Sequence, residues 1–210
     1  MNSNLEELSI RARIAYALIS LDQLYAELGL SREAPEYKYF TNIYWNFIGP
    51  DGHTIDILSL YMDFSYKYVI TFPIKVDESD QWRTTVSEER ELQLLRDLKE
   101  KMGKNYVDVP AIKDKQATFE KYYFSLPYEV CEAMDSLGEI LEFGYDAGGE
   151  WPNNSSNSLN SVKVIIAILE AHNIRPPDTS IVSNSKFSDR HGMGTPILKK
   201  EIESKLGLTL

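Results

Sequence analysis

Hydrophobic residues recur at helical spacing in two parallel rows over residues 4–28. The rows consist of Leu5, Leu8, Ala12, Ala15 and Ile19, and of Ile14, Leu18, Leu21, Tyr25 and Leu28. Two rows make a broad apolar face, so we expect this helix to pack against neighbours on more than one side. Gly29 stands where a cap at the helix C-terminus is expected.

Periodicity and capping signals predict further helices along the chain. A short aromatic helix ends at the turn Gly49–Gly52, and a leucine-rich helix follows the capping-box pair Thr85 and Glu88 and ends before Gly103. Three more are predicted in the second half. One begins at Pro127 and closes at Gly144, one covers residues 158–173 and is terminated by Pro176 and Pro177, and one begins at Thr195–Pro196.

Residues 66–76 depart from the helical pattern. They combine β-branched and aromatic residues with Pro73, which favours a small β-element at an edge or irregular position, whereas the stretch before them also fits a helix. The complete pattern predicts a mainly α fold in which residues 1–210 form a single domain. We expect a bundle of five or six helices around one core, with a small β-element near residues 66–76.

Net charge and cysteine content indicate which partners the protein can bind and in which compartment it resides. The 210 residues include 32 acidic and 22 basic ones, and the formal net charge of -10 repels nucleic acid and anionic membranes while it attracts a basic protein. Solubility alone accounts for such a charge equally well. Cys131 is the only cysteine, the N-terminus lacks the pattern of a signal peptide, and the longest aliphatic run, Val164 to Leu169, is too short to span a bilayer. These features predict a cytoplasmic protein that binds neither nucleic acid nor membrane.

The sequence FSDRHGMGTP, residues 187–196, is the strongest candidate for an anion or phosphate site. Backbone amides around Gly192 and Gly194, aimed at a helix start and supported by Arg190 or His191, would attract negative charge. An enzyme or a small-ligand binder is therefore one interpretation. The pattern favours the other interpretation, a glycine-rich connector to a helix capped by Thr195.

Other reactive residues do not form a recognisable catalytic or metal-binding pattern. His53 and Asp56 supply two ligands where a metal site needs at least three, and Cys131 lies within a predicted helix, where a small buried side chain is expected. Glu139 and Glu142 have the spacing of paired carboxylates but also of a solvated helix face. We therefore predict no metal, no cofactor and no enzymatic activity.

The loop around YDAGGEWPNN is the candidate surface for a protein partner. Tyr145 and Trp151 offer aromatic anchors, and Asp146 and Glu150 add carboxylates that attract a basic partner. The alternative is that Trp151 folds back onto the core.

Three segments together resemble the immunity proteins of bacterial polymorphic toxin systems. They are the helix segment from Arg11 to Leu18, the aromatic segment from Tyr44 to Phe47, and Phe187 to Pro196, where Met193 replaces the tryptophan of a Gly-Trp-Gly pattern. The resemblance implies a non-catalytic cytoplasmic protein that binds and blocks a toxin. A basic toxin domain would suit the negative charge of this chain. The oligomeric state is left open.

Overall fold

The computed structural model describes residues 5–50, 64–71, 87–145 and 155–210, and these residues are mainly helical. Within these ranges lie the helices α1 (Ile10–Glu27), α2 (Pro35–Ile48), α3 (Glu88–Met102), α4 (Lys115–Ser125), α5 (Tyr128–Tyr145), α6 (Ser156–Ala171) and α7 (Lys199–Leu206). The mainly α prediction is confirmed. None of the helices in the described ranges is both long and apolar enough to cross a bilayer.

Helix α1 is the central element of the fold. It packs against α2, α5 and α6, and all but three of its 18 residues are buried. The predicted packing on several sides is thus confirmed. The helix begins after Ser9, whose hydroxyl accepts a hydrogen bond from the Ala12 amide at 3.1 Å. It ends at the predicted glycine, because Gly29 has a φ of 64° and lets the Leu30 amide donate to the Tyr25 carbonyl at 2.9 Å.

Helix α4 was not predicted, and it raises the number of α-helices in the described ranges to seven. Its buried residues are Lys115, Phe119 and Tyr123, one helical turn apart. Lys115 opens this row because its ammonium group lies 2.9 Å from the carboxylate of Glu91 on α3, and both side chains are buried. Tyr39 on α2 donates a hydrogen bond to the same carboxylate at 2.8 Å. A buried ion pair thus joins three helices.

The predicted β-element is wrong for the part of residues 66–76 that the structure describes. Lys67–Thr71 forms a short π-helical turn, and the amide of Val69 donates to the Ser65 carbonyl at 2.9 Å. The backbone here bonds to its own segment, so the β-branched residues do not need a partner strand. Residues 72–76 lie outside the described residues.

Two helix ends differ from their predicted positions. The side chain that caps α3 is Ser87, which accepts from the Arg90 amide, whereas Thr85 lies outside the described residues. Helix α6 ends at Ala171, because Asn173 adopts a left-handed φ of 59° and stops the helix before the proline pair is reached.

The buried hydrophobic residues form one connected core that extends from Leu8 to Ile202. Aromatic rings fill its centre: Phe64 contacts Tyr39 and Phe119 at centroid distances of 5.1 and 5.3 Å. The assignment of residues 1–210 to a single domain remains a prediction.

Candidate functional site

The segment before and within residues 187–196 is tied to the start of α1. The Phe187 amide donates to the Glu7 carbonyl at 2.8 Å, and the Ser9 amide donates to the Ser185 carbonyl at 3.1 Å. The hydroxyls of Ser9 and Ser185 share a further hydrogen bond of 2.8 Å. We call this contact between residues 185–196 and the first turns of α1 the N-terminal lock.

Gly194 is required by this packing. Its φ is 74°, and a methyl group on its α-carbon would stand 2.2 Å from the Ser9 hydroxyl oxygen and 2.3 Å from that of Ser185. Its carbonyl accepts from the guanidinium Nη1 of Arg11 at 3.2 Å. No other residue type has both the conformation and the small size that this position needs.

The amides expected to bind an anion are engaged inside the loop. The amides of Gly192 and Gly194 both donate to the Asp189 carbonyl, at 3.2 and 2.9 Å, and the Met193 amide donates to the Arg190 carbonyl at 3.2 Å. Arg190 and His191 have left-handed φ values of 48° and 55°, and their side chains are exposed. Anion binding at this loop remains a prediction that depends on these two side chains.

The final helix begins later than predicted. Helix α7 starts at Lys199 and has no side-chain cap, whereas the Thr195 hydroxyl donates to the Asn184 carbonyl at 3.3 Å. The Ile197 amide donates to the carbonyl of Ile48 on α2 at 3.0 Å. These bonds to distant parts of the chain hold residues 195–197 outside the helix, and they override the local signal of Thr195–Pro196.

Arg13 brings a buried positive charge into the same region. Its Nη1 donates to the Ser158 hydroxyl at 2.6 Å and to the Ser155 carbonyl at 3.0 Å, and its guanidinium lies 5.1 Å from the centre of the Phe187 ring. Burial lowers its pKa to about 10, although the nearby Glu6 opposes the shift. Arg11, Arg13 and residues 187–194 therefore form one structural unit.

The predicted partner loop falls largely outside the described residues. Tyr145 is the last residue of α5, and nothing is described of its side chain; Asp146, Glu150 and Trp151 lie in the segment that follows. His53 and Asp56 are also outside the described residues. Their proposed roles remain predictions.

Cys131 and His172 have structural partners. The Cys131 side chain is 3 % exposed, its thiol donates to the Tyr123 carbonyl at 3.5 Å, and burial raises its pKa to about 11. At neutral pH the thiol is therefore protonated and a poor nucleophile. His172 caps α6, and its Nε2 lies 3.5 Å from a carboxylate oxygen of Glu129.

Three carboxylates form a row along α5. Glu142 pairs with Lys67 at 3.1 Å, and Glu139 accepts from the Ser161 hydroxyl at 2.8 Å. Burial, followed by the charge of Glu139, raises the pKa of Asp135 to about 6. Within the part of the chain that the structure describes, no group of three or more His, Cys, Asp or Glu residues is arranged to hold a metal ion.

Two exposed aromatic residues, which the sequence patterns did not single out, lie at the junction of α4 and α5. Phe124 is 74 % exposed and Tyr128 is 69 % exposed. We call this pair the aromatic corner. No other aromatic side chain that the structure describes is exposed to this degree, since the remaining rings are buried or half-buried. The signal was present in the sequence as YYFSLPYE, but the partners of each ring depend on the tertiary fold.

A cleft of about 940 Å³ lies beside the middle of α1. Tyr16 and Gln23 of α1 form its base, and the half-buried to buried side chains Pro177, Ile181 and Leu206 are among its walls. Its exposed rim includes Glu170, Arg175 and Asp178. Burial, followed by the charges of Asp178 and Glu170, raises the pKa of Tyr16 to about 12. We call this the α1 cleft.

A scan against protein-family models, a search of curated proteins and a search of solved structures gave no match.

Proposed function

We propose that this chain is a non-catalytic, cytoplasmic binding protein, an immunity protein that neutralises a cognate bacterial toxin. The observation that carries the proposal is the aromatic corner, Phe124 and Tyr128, which the fold leaves exposed while it buries most of its other rings. Exposed aromatic side chains of this size are typical anchors of protein interfaces, because they bury a large area in a partner at low entropic cost.

The charges around the aromatic corner suit a basic partner. Glu120 is exposed on α4, and Glu129 follows Tyr128 on α5, with Lys121 as a nearby positive charge. The net charge of -10 acts over a longer range and raises the association rate with a basic protein. In an acidic inhibitor with aromatic anchors, the charge would thus raise the association rate and the buried rings would lower the dissociation rate.

The resemblance to immunity proteins adds a second line of support. Two of its segments, Arg11–Leu18 and Phe187–Pro196, meet in the N-terminal lock through the bond from Arg11 to Gly194. In this interpretation the shared residues build the scaffold, and the surfaces that differ between such proteins select the toxin. The alternative, a ligand binder that uses residues 187–196, has less support because three amides of that loop are engaged.

The experiment begins with the toxin domain encoded by the neighbouring gene. Co-expression should abolish its toxicity, and the purified proteins should form a complex by calorimetry. Exchange of both Phe124 and Tyr128 for Ala should weaken binding at least about tenfold and leave stability nearly unchanged, because both rings are exposed. Val164→Ala and Leu208→Ala, at 38 % and 46 % exposed side chains, are matched controls.

The same complex tests the predicted loop. Helix α5 has 18 residues, so its first residue, Tyr128 of the aromatic corner, and its last, Tyr145, lie about 26 Å apart. Exchange of Asp146 and Glu150 for Lys should slow association if the toxin contacts that end. No protection from the toxin, together with no complex, would contradict the proposed function.

A further inference from the structure

We propose that the α1 cleft binds a linear aliphatic cation, an amine or guanidine whose hydrocarbon stem lies between its polar ends. This ligand site is independent of the proposed function, because it concerns a different surface and a small molecule or single side chain. It follows from unpartnered polar groups at the base of the cleft, apolar walls and an acidic rim.

The base of the cleft presents two polar groups without partners. The Tyr16 residue is 1 % exposed, and its hydroxyl, which has no hydrogen-bond partner within the described residues, still reaches the solvent of the cleft. The side-chain oxygen of Gln23 is buried and also lacks a hydrogen-bond partner in the described part of the chain. An unpaired buried acceptor has lost its hydrogen bonds to water without replacement, so a donor that reaches it is strongly favoured.

The spacing of these two groups defines the length of the ligand. Tyr16 and Gln23 are seven residues apart on one face of α1, which separates their α-carbons by about 10 Å along the helix axis. Ile181 and Leu206 line the cleft as well and provide apolar surface for a hydrocarbon stem. A molecule with two polar ends and a stem of several methylene groups matches this arrangement.

The charges select a cation. Glu170 and Asp178 place two carboxylates on the rim against the one guanidinium of Arg175. The Gln23 oxygen can only accept a hydrogen bond, and the neutral Tyr16 hydroxyl can both accept and donate. An ammonium or guanidinium group satisfies the acceptors and is attracted by the rim, whereas an anion would be repelled by the two carboxylates.

The test is a titration of the intact protein followed by amide NMR. The probes are 1,5-diaminopentane, agmatine and N-acetyl-arginine amide, and 1,5-pentanediol serves as the neutral control with the same stem. We expect saturable shifts in α1 and residues 175–181 with the cations and none with the diol. Tighter binding of the diamine or agmatine would assign a free cation as ligand; tighter binding of the capped arginine would assign a side chain of a bound protein. Either result supports the site.

Variants locate the binding and test its chemistry. Glu170→Gln and Asp178→Asn should each weaken binding about threefold to fivefold, as expected for exposed charges. The second of these variants keeps a side-chain oxygen that can accept from the Ser180 amide, as the carboxylate of Asp178 does at 2.8 Å. Gln23→Leu should weaken binding about tenfold or more. Tyr16→Phe is a further variant should Gln23→Leu fail to fold.

The control variant is Glu100→Gln, which removes an exposed charge of α3 that does not line the α1 cleft. It should bind as the parent does. Equal binding of the diol, the same loss in Glu100→Gln as in Asp178→Asn, or no saturable binding of any cation would overturn the proposal. A missing toxin partner would leave these titrations unchanged, so the two proposals fail separately.

Discussion

Two parts of α1 differ in whether their polar side chains form hydrogen bonds within the chain. At the first turns, Ser9 and Arg11 bond to residues 185–194 of the same chain. Further along the helix, the half-buried Gln23 faces the α1 cleft, and its buried side-chain oxygen has no hydrogen-bond partner in the described ranges. The same helix thus carries polar side chains that bond to a distant part of the chain, Ser9 and Arg11, and one side chain, Gln23, whose buried oxygen forms no hydrogen bond within the described residues.

This difference separates structural from functional polarity. A buried polar group that is paired within the chain contributes to the stability and specificity of the fold. A buried polar group that is not paired costs stability and is open to a partner from outside the chain. The Gly-x-Gly motif, which looked most like a binding site in the sequence, belongs to the first class, and Gln23 of α1 belongs to the second.

The largest expected effect comes from closing the space at Gly194. Gly194→Ala combines a left-handed φ of 74° with a clash against Ser9 and Ser185, so we expect a loss of about 3 kcal/mol in the free energy of unfolding. Gly207→Ala has a similar φ of 66° and open space, and it should lose only about 1 kcal/mol. Urea denaturation of both variants makes the comparison. Equal losses in the two variants would show that close packing around Gly194 contributes nothing to the free energy of unfolding.

A smaller effect is expected from the hydroxyl that caps α1. Ser9→Ala removes the bond to the Ala12 amide and the bond to Ser185, and should cost about 1–2 kcal/mol. Gln23→Leu, on the same helix, removes an acceptor that has no partner in the described residues and should change stability by less than about 0.5 kcal/mol or raise it. Denaturation curves in urea give both values. If Gln23→Leu is the more damaging variant, the distinction between the two regions of α1 is wrong.

Asp135 extends the comparison to a carboxylate. One of its oxygens has no hydrogen-bond partner in the described residues, and its pKa is raised from 3.8 to about 6. The folded state therefore binds the proton more tightly than the unfolded chain, and this contribution to stability decreases as the pH rises from about 4 to about 6.

The expected size is about 1 kcal/mol after allowance for the solvent that still reaches the side chain. Asp135→Asn keeps an acceptor but removes the charge, so its stability relative to the parent should increase by that amount between pH 4 and pH 7.5. Unfolding by urea at the two pH values measures the difference. A difference that does not vary with pH would mean that Asp135 titrates as an exposed carboxylate.

The sequence predicted most of the helices because their apolar periodicity is local. It missed α4 because that row begins with Lys115, whose burial depends on Glu91 in another helix. It placed the start of α7 too early because the bond from Ile197 to Ile48 joins residues that are far apart in the chain. Local sequence patterns thus identify most helices, whereas contacts with residues far away in the chain determine where those helices begin and end.

The candidate sites show the same limit more strongly. Nothing local distinguishes Tyr16 and Gln23 from other residues of α1, since the α1 cleft forms only when α6, α7 and residues 175–181 assemble around them. The exposure of Phe124 and Tyr128 likewise depends on which aromatic rings pack in the core. The sequence shows which polar and aromatic residues are present, but only the tertiary structure shows which of them lack partners.

The single buried thiol gives this protein a built-in reporter of its own opening motions. Cys131 is the only cysteine among the 210 residues, and its side chain is 3 % exposed between α5 and the Tyr123 carbonyl of α4. An alkylating reagent reaches this buried thiol when the core around it opens, so the rate of alkylation measures how often it opens. The native chain can thus report how often its own core opens, with no engineered label.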